Sequence, residues 1–301
     1  MLAMSFGLRV HHLGRAISAI VLVTTLGACS GGSSGGRVKV VAAIYPLAWA
    51  AERVGGSRVS VQDLTPPGVE AHDTTLTAGQ RADIQTADVV VYLGQIGLQP
   101  DVEDAVKDAR GRAVDLTSGL NIRAPSGQAL DPHVWLDPVN MEGALQLIAG
   151  ALKAVDASGA AGFAAREAST VRDLQSLDTA FRAGLADCAF TTFVATHEAF
   201  GYLADRYGLH QLGIEGITPE SEPSAARIQQ AAQAIAERRA APAVFYEGTD
   251  EGRRIGESVA ADVGVPALPL GTLESAPSSG DYLSIMRSNL ANLRKGLQCT
   301  S

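Results

Sequence analysis

The chain has 301 residues and a formal net charge of −8, from 24 Lys and Arg against 32 Asp and Glu. That balance speaks against nucleic acid as a partner, because phosphate recognition needs clustered cations, and against a basic patch adhering to anionic lipid. With 46% hydrophobic residues the chain can bury a core, and its length exceeds a typical single one, so two domains are expected.

Residues 1–28 read as an export signal. Arg9, His11, His12 and Arg15 give a basic start, and 16–26 is an apolar run too short to span a bilayer as a mature helix. It ends in Leu26-Gly27-Ala28-Cys29, which resembles a bacterial lipobox, in which Cys29 is acylated and becomes the first mature residue. Residues 29–36 are rich in Gly and Ser, a flexible tether between a lipid and a folded body that starts near Arg37. Cleavage removes Arg9 and Arg15 and no acid, leaving 22 basic against 32 acidic side chains and a mature charge of −10. A lipid rather than charge would then hold the protein to the extracytoplasmic face of the cell membrane.

Past the tether, apolar strand-like runs at 38–44, 59–64, 88–93 and 112–116 alternate with helix-like stretches at 47–54, 78–86 and 100–109. A second set of runs follows at 191–195, 209–214, 243–246 and 265–270, with a helix-like stretch at 225–239. Strands alternating with helices imply parallel sheets. Between the two sets, 160–186 reads as one long helix. Leu174, Leu177, Phe181 and Leu185 form its apolar stripe, and neither Pro nor Gly interrupts 163–183. It could be a peripheral helix of one large domain, but its length and central position favour a connecting rod. The expected architecture is α/β, with two lobes built on parallel sheets flanked by helices and bridged by one long rigid helix. The lobes are 37–155 and 188–301, and the connecting helix occupies 156–187.

Of three cysteines, acylation of Cys29 leaves Cys188 and Cys299, and an even pair in an exported chain reads as a disulfide.

Three histidines carry the chemistry. They are His72 in Glu70-Ala71-His72-Asp73, His133 in Asp131-Pro132-His133-Val134-Trp135, and His197 in Thr196-His197-Glu198-Ala199-Phe200-Gly201. Successive members lie 61 and 64 residues apart, so only tertiary folding can unite them. A divalent metal such as zinc is held by imidazole nitrogens gathered in this way. His72 follows the 59–64 run, and His197 follows the 191–195 run and opens a helix containing Ala199, Tyr202 and Leu203. Carboxyl ends of parallel strands are where open α/β sheets place ligands. His210 lacks comparable context and reads as structural or solvated. Glu70, Asp73 and Glu198 either orient the neighbouring rings through a distal N–H or are ordinary surface acids.

These stretches resemble the zinc/manganese-binding class of solute-binding lipoproteins that serve bacterial ABC transporters. So do Pro66-Pro67-Gly68, residues 78–94, Trp135-Leu136-Asp137-Pro138, Ser221-Glu222-Pro223-Ser224, and Tyr282-Leu283 with Met286-Arg287 and Asn289-Leu290. The resemblance covers nearly the whole mature chain. It implies a metal buried between two lobes, captured outside the cytoplasm and delivered to an ABC-transporter membrane permease; a monomer is expected. The family normally takes a fourth ligand from an Asp in an Asp-Pro-Leu turn. Aligning Leu273-Glu274 with the usual Leu-Glu puts Gly271 at that position. The resemblance therefore implies three histidines plus water or a borrowed acid. Glu247, ending the 243–246 run, is the first candidate by topology, with Glu70 and Glu274 behind it. Ala71 stands where the family commonly has Pro, a change expected to alter turn rigidity.

Three neutral imidazoles suit zinc, whereas manganese prefers harder oxygen ligands. In this family a histidine at the position of His197 accompanies zinc more than manganese, and Gly271 removes another oxygen donor. Residues 121–130 hold no histidine, so the His-rich loop of many zinc-type members lends no support. A manganese- or iron-binding member is the runner-up. A zinc-dependent hydrolase is the rival from another class, since three histidines plus water also serve hydrolytic sites. No His-Glu-x-x-His helix or nucleophile motif is present, and the chain is expected not to be an enzyme. An adhesin role is compatible with metal binding and is untested by the sequence.

Overall fold

The computed structural model describes residues 1–3, 7, 36–120, 122–125, 129–217 and 224–300. The export signal, the Cys29 acylation site and the tether up to residue 35 lie outside or almost outside these, as do residues 221–223 of the Ser-Glu-Pro-Ser stretch. Residues Arg37–Ser301 form one compact unit.

The first half contains β1 (Val38–Ala42), α1 (Tyr45–Gly55), β2 (Val59–Asp63), α2 (Ala78–Thr86), β3 (Val89–Tyr92), α3 (Pro100–Ala105), β4 (Arg112–Asp115) and α4 (Pro138–Val155). Its sheet has the order β2-β1-β3-β4 with every pair parallel. Val89, Val90 and Val91 are fully buried on both faces of β3, which is why the strand is a continuous apolar run. Local signals set the helix starts: Thr77 and Gln80 form a reciprocal capping box at α2, and Asp137 accepts from Val139 N ahead of Pro138 at the start of α4.

The second half contains β5 (Thr192–Ala195), α6 (Gly201–Tyr207), β6 (His210–Gly213), α7 (Ala225–Ala236), β7 (Val244–Tyr246), α8 (Asp250–Val263), β8 (Ala267–Pro269) and α9 (Tyr282–Leu297). Its parallel sheet, β6-β5-β7-β8, repeats the strand order of the first. Side chains alternate across it as the pleat requires. Phe193, Ala195 and Phe245 join the core shared with the first lobe, whereas Val194 and Val244 join a separate cluster with Ile214, Ala231 and Val259. The expected pair of parallel α/β sheets is what the structure contains.

The long helix, α5 (Ala160–Gly184), lies between the two sheets in sequence and spans about 37 Å at the α-helical rise. Phe163, Thr170, Leu174, Leu177 and Phe181 form its buried stripe at three-, four- and seven-residue spacing. Each large apolar side chain removed from water there contributes about 2 kcal/mol. Near its start, the Arg166 guanidinium donates to Val54 O and Gly55 O at the end of α1; near its end, Phe181 stacks on Tyr207 of α6 at 4.9 Å. Both halves thus grip one rod.

Several expected boundaries move. The 100–109 stretch is helical only to Ala105 and continues as a 3-10 turn, and α7 stops at Ala236, ahead of Arg238 at φ 57°. His197 does not open α6, which starts four residues later at Gly201. The intervening backbone is committed elsewhere, with Glu198 N donating to Gly216 O and Phe200 N to Gln211 Oε1.

Cys188 and Cys299 are disulfide-bonded across 111 residues, flanked by Phe190 N donating to Leu297 O and Thr300 N donating to Asp187 O. The bond ties the end of α9 to the segment between α5 and β5. Replacing both cysteines with serine is expected to lower the stability of the metal-free protein by about 2–4 kcal/mol. Denaturant unfolding of both forms checks this; equal midpoints would show that the neighbouring backbone bonds hold the segment unaided.

Candidate metal centre

In each sheet the strand order reverses beside the first strand, and the crevice at the carboxyl ends is the natural place for a ligand. Two donors come from each half. His72 sits in a 3-10 turn, Ala71–Asp73, after β2, and His133 directly precedes another, Val134–Leu136, ahead of α4. His197 follows β5 by two residues, and Glu274 lies beyond β8. One nitrogen from each ring and one Glu274 oxygen all lie within 4.8 Å of one another. The ring centroids are 4.9 to 5.7 Å apart. His210, by contrast, opens β6 and is exposed, outside the cluster.

Three buried atoms here have no hydrogen-bond partner among the described residues: His72 Nε2, His133 Nε2 and Glu274 Oε1. His133 Nε2 and Glu274 Oε1 are 3.3 Å apart, off the line of a hydrogen bond. A buried lone pair left unsatisfied costs about 1–3 kcal/mol. A convergent set of them fits a cation that accepts from all at once.

The remaining atoms of these side chains are held. His133 Nδ1 lies 2.9 Å from Asp131 Oδ1, and Asp131 Oδ2 takes an ion pair from Arg123 Nη1 at 2.7 Å. His197 Nε2 donates to Ile217 O at 2.9 Å, which leaves Nδ1 facing the cluster, 3.8 Å from Glu274 Oε1 and 3.1 Å from Glu247 Oε2. Glu274 Oε2 accepts from Ala71 N at 2.9 Å. The proline common in the family has no N–H to give, so Ala71 creates a bond that orients Glu274.

Burial pushes His72 down to about 4, favouring the neutral, metal-binding imidazole. Burial opposes the charge on Glu274, but the adjoining His133 and the field of His197 pull its carboxyl down to about 2. Glu70 is pushed well up by burial and by the neighbouring Glu247 and Glu274. Burial opposes protonation of His197, yet Glu247 and Glu274 overcome it and raise the ring.

The geometry reverses the order of the three acids read from the sequence. Glu274 places a free oxygen beside the histidines, Glu247 lies against the cluster-facing nitrogen of His197, and Glu70 stands next to Glu247 and His197. Glu198 faces Arg227 at 3.2 Å. Of the two readings of Gly271, water or a borrowed acid, the geometry favours an acid, with the nearest carboxylate three residues further on. Leu273, at φ 62°, turns the chain between them. Gly271 itself is clamped by Asn289, which accepts from its N and donates to its O, both at 2.8 Å. A Cβ there would meet Ile285 Cγ2 at 2.9 Å. Gly271→Asp is therefore expected to lower stability by about 1–3 kcal/mol through overpacking and to leave zinc affinity no tighter. Unfolding and zinc titration of the variant check both; tighter zinc with an unchanged fold would restore the Asp position.

Asp131, Arg123 and Tyr202 pack behind His133, and the sequence reading gave them no role. Asp131, two residues before a candidate ligand, carried a signal; Arg123, a lone cation in a loop, carried none. Trp135 and Tyr282, from two other motifs, make contacts across the seam. Trp135 Nε1 donates to Thr272 O at 2.7 Å, Tyr282 O–H donates to Trp135 O at 2.6 Å, and Trp49 stacks on Tyr282 at 4.6 Å. A cleft of about 460 Å³ opens beside the centre, between Pro67–Glu70 and residues 271–279, with Glu70 and Glu274 in its wall.

The sequence model of the family described as zinc-uptake complex component A, periplasmic, matches residues 40–296. Zinc-binding protein AdcA of Streptococcus pyogenes serotype M6 is 30% identical over 290 residues, covering 86% of this chain and 56% of that protein. This chain thus spans about half the length of such relatives. The high-affinity zinc uptake system protein ZnuA of Bacillus subtilis is 27% identical over 289 residues, covering 89% of this chain and 90% of that protein. Among solved structures, the Zn(II)-bound ZnuA-like domain of Streptococcus pneumoniae AdcA superposes with a TM-score of 0.75 at 29% identity, covering 87% of this chain and 99% of that one.

Proposed function

The chain belongs to the zinc-uptake complex component A family, and from that premise we propose that it captures one zinc ion outside the cytoplasm and delivers it to an ABC-transporter membrane permease. His72, His133, His197 and Glu274 are the ligands, two from each lobe. A lipid on Cys29, ahead of the folded body that starts near residue 37, keeps the protein at the membrane. The carrying observation is the convergence of three unpartnered buried donor atoms from chain positions 72, 133 and 274 beside the His197 ring.

Three imidazoles and one carboxylate are a borderline-soft set that favours zinc over manganese. Glu274 restores one hard oxygen, so the Gly271 argument for zinc falls away and the preference rests on the imidazoles. A fourth protein donor also supports carriage over hydrolysis, because catalytic zinc sites keep a position for water. Calorimetric titration of the metal-free protein is expected to show one zinc per chain, bound more tightly than manganese. Alanine at His72, His133 or His197 should abolish most of that heat and at His210 should not. Equal losses at all four histidines would overturn the ligand assignment.

A further inference from the structure

Helix α6 turns three side chains toward the first-lobe segment that carries His133. Asp205 Oδ2 accepts from Arg123 Nε at 2.7 Å, and Arg206 forms a fork on Asp137 with contacts of 2.6 to 3.0 Å. The Tyr202 O–H donates to Asp131 O at 3.0 Å and accepts from Arg123 N at 2.7 Å, while the Arg123 guanidinium lies 5.7 Å from the Tyr202 ring centroid. The two ion pairs run in opposite polarity, so each arginine reaches across to the other lobe. Arg123 is also the cation of the buried Asp131, whose other oxygen meets His133 Nδ1. One guanidinium therefore joins the brace of a first-lobe donor to the helix that follows a second-lobe donor.

We propose that Arg123, through Asp131 and Asp205, is a positioning residue that clasps the lobes on the side of His133 and His197 and sets the rate at which zinc leaves. This rests on the zinc-capture reading above. Holding those rings 4.9 Å apart keeps two of four donors converged, so the lobes must part at the cleft side first. Arg is suited to the role because its planar fork serves two carboxylates at once, which an ammonium on a flexible stem does not.

The test separates clasping from charge neutralisation. Arg123→Lys keeps a cation for Asp131 but loses the fork, and Asp205→Asn removes the far anchor without touching a ligand or its brace. Stopped-flow release of zinc to excess chelator is expected to quicken about tenfold in Arg123→Lys, within the usual range of intersite coupling. In Asp205→Asn, an exposed pair, about threefold is expected. The double variant should be no faster than Arg123→Lys, with association rates unchanged. In the metal-free proteins, hydrogen exchange should rise in peptides covering 129–137 and 201–207 while the global unfolding midpoint holds. Unaltered release rates and unaltered local exchange, with one zinc still bound per chain, overturn the clasp and leave the capture reading standing. A wild type that binds no zinc overturns the capture reading, and the metal-free exchange then still decides the clasp.

Discussion

Glu274→Ala is expected to weaken zinc binding by roughly a hundredfold or more, since even the outer partners of metal ligands are worth about 10–100-fold. Two consequences of Glu274 are lost together. The ion forgoes its one anionic donor, and the turn bearing His72 loses the bond from Ala71 N to Glu274 Oε2. Ala71→Pro separates them, because it removes the N–H and keeps the carboxylate; about a tenfold loss is expected from disorientation alone. Metal-free stability should fall at neutral pH in Glu274→Ala, since a carboxyl held down to about 2 by His133 and His197 stabilises the fold while ionised, and its loss also strands Ala71 N. Competition against a chromophoric zinc chelator, beside denaturant unfolding, measures both quantities. Wild-type affinity in Glu274→Ala would return the fourth position to Glu247 or Glu70.

Gly201→Ala carries the second large effect. A Cβ there would overlap Arg123 Nη1 and lie 2.7 Å from Asp131 Oδ2, where the buried ion pair passes against the first turn of α6. Relief requires breaking the pair or shifting the helix, and about 3 kcal/mol of stability is expected to go. Zinc affinity should fall with it, because Asp131 braces His133. Gly150→Ala is the control: nothing lies within 4 Å of its added Cβ on the exposed face of α4, and up to about 1 kcal/mol should be gained. Denaturant unfolding of both variants decides the matter, and equal stabilities would show that the Arg123 side chain moves aside freely.

The three histidines stood out because each sits in a compact motif, two of them just after strand-like runs, and α5 was legible because its apolar stripe recurs at helical spacing. Glu274 was ranked low for a physical reason. Which residue after β8 faces the crevice depends on the positive φ at Leu273, a conformation that leucine rarely adopts and that nothing in its side chain announces. The start of α6 was misplaced because Glu198 and Phe200 spend their N–H groups on partners more than ten residues away, Gly216 and the β6 residue Gln211, which no local periodicity records. Gly201 stood in plain sight within the His197 motif. Its purpose appears only when Arg123 arrives from 78 residues earlier to fill the space a methyl group would occupy.

The repeated strand order gives each lobe half of the metal centre, and this has a consequence for when the protein can hold its ion. The first donor is at residue 72 and the last at 274, about 200 residues on. A chain still being made or threaded through a membrane has at most scattered imidazoles, each no better than a free side chain. Zinc affinity arises only when both sheets have formed and docked, so the free energy of binding is coupled to completing the fold.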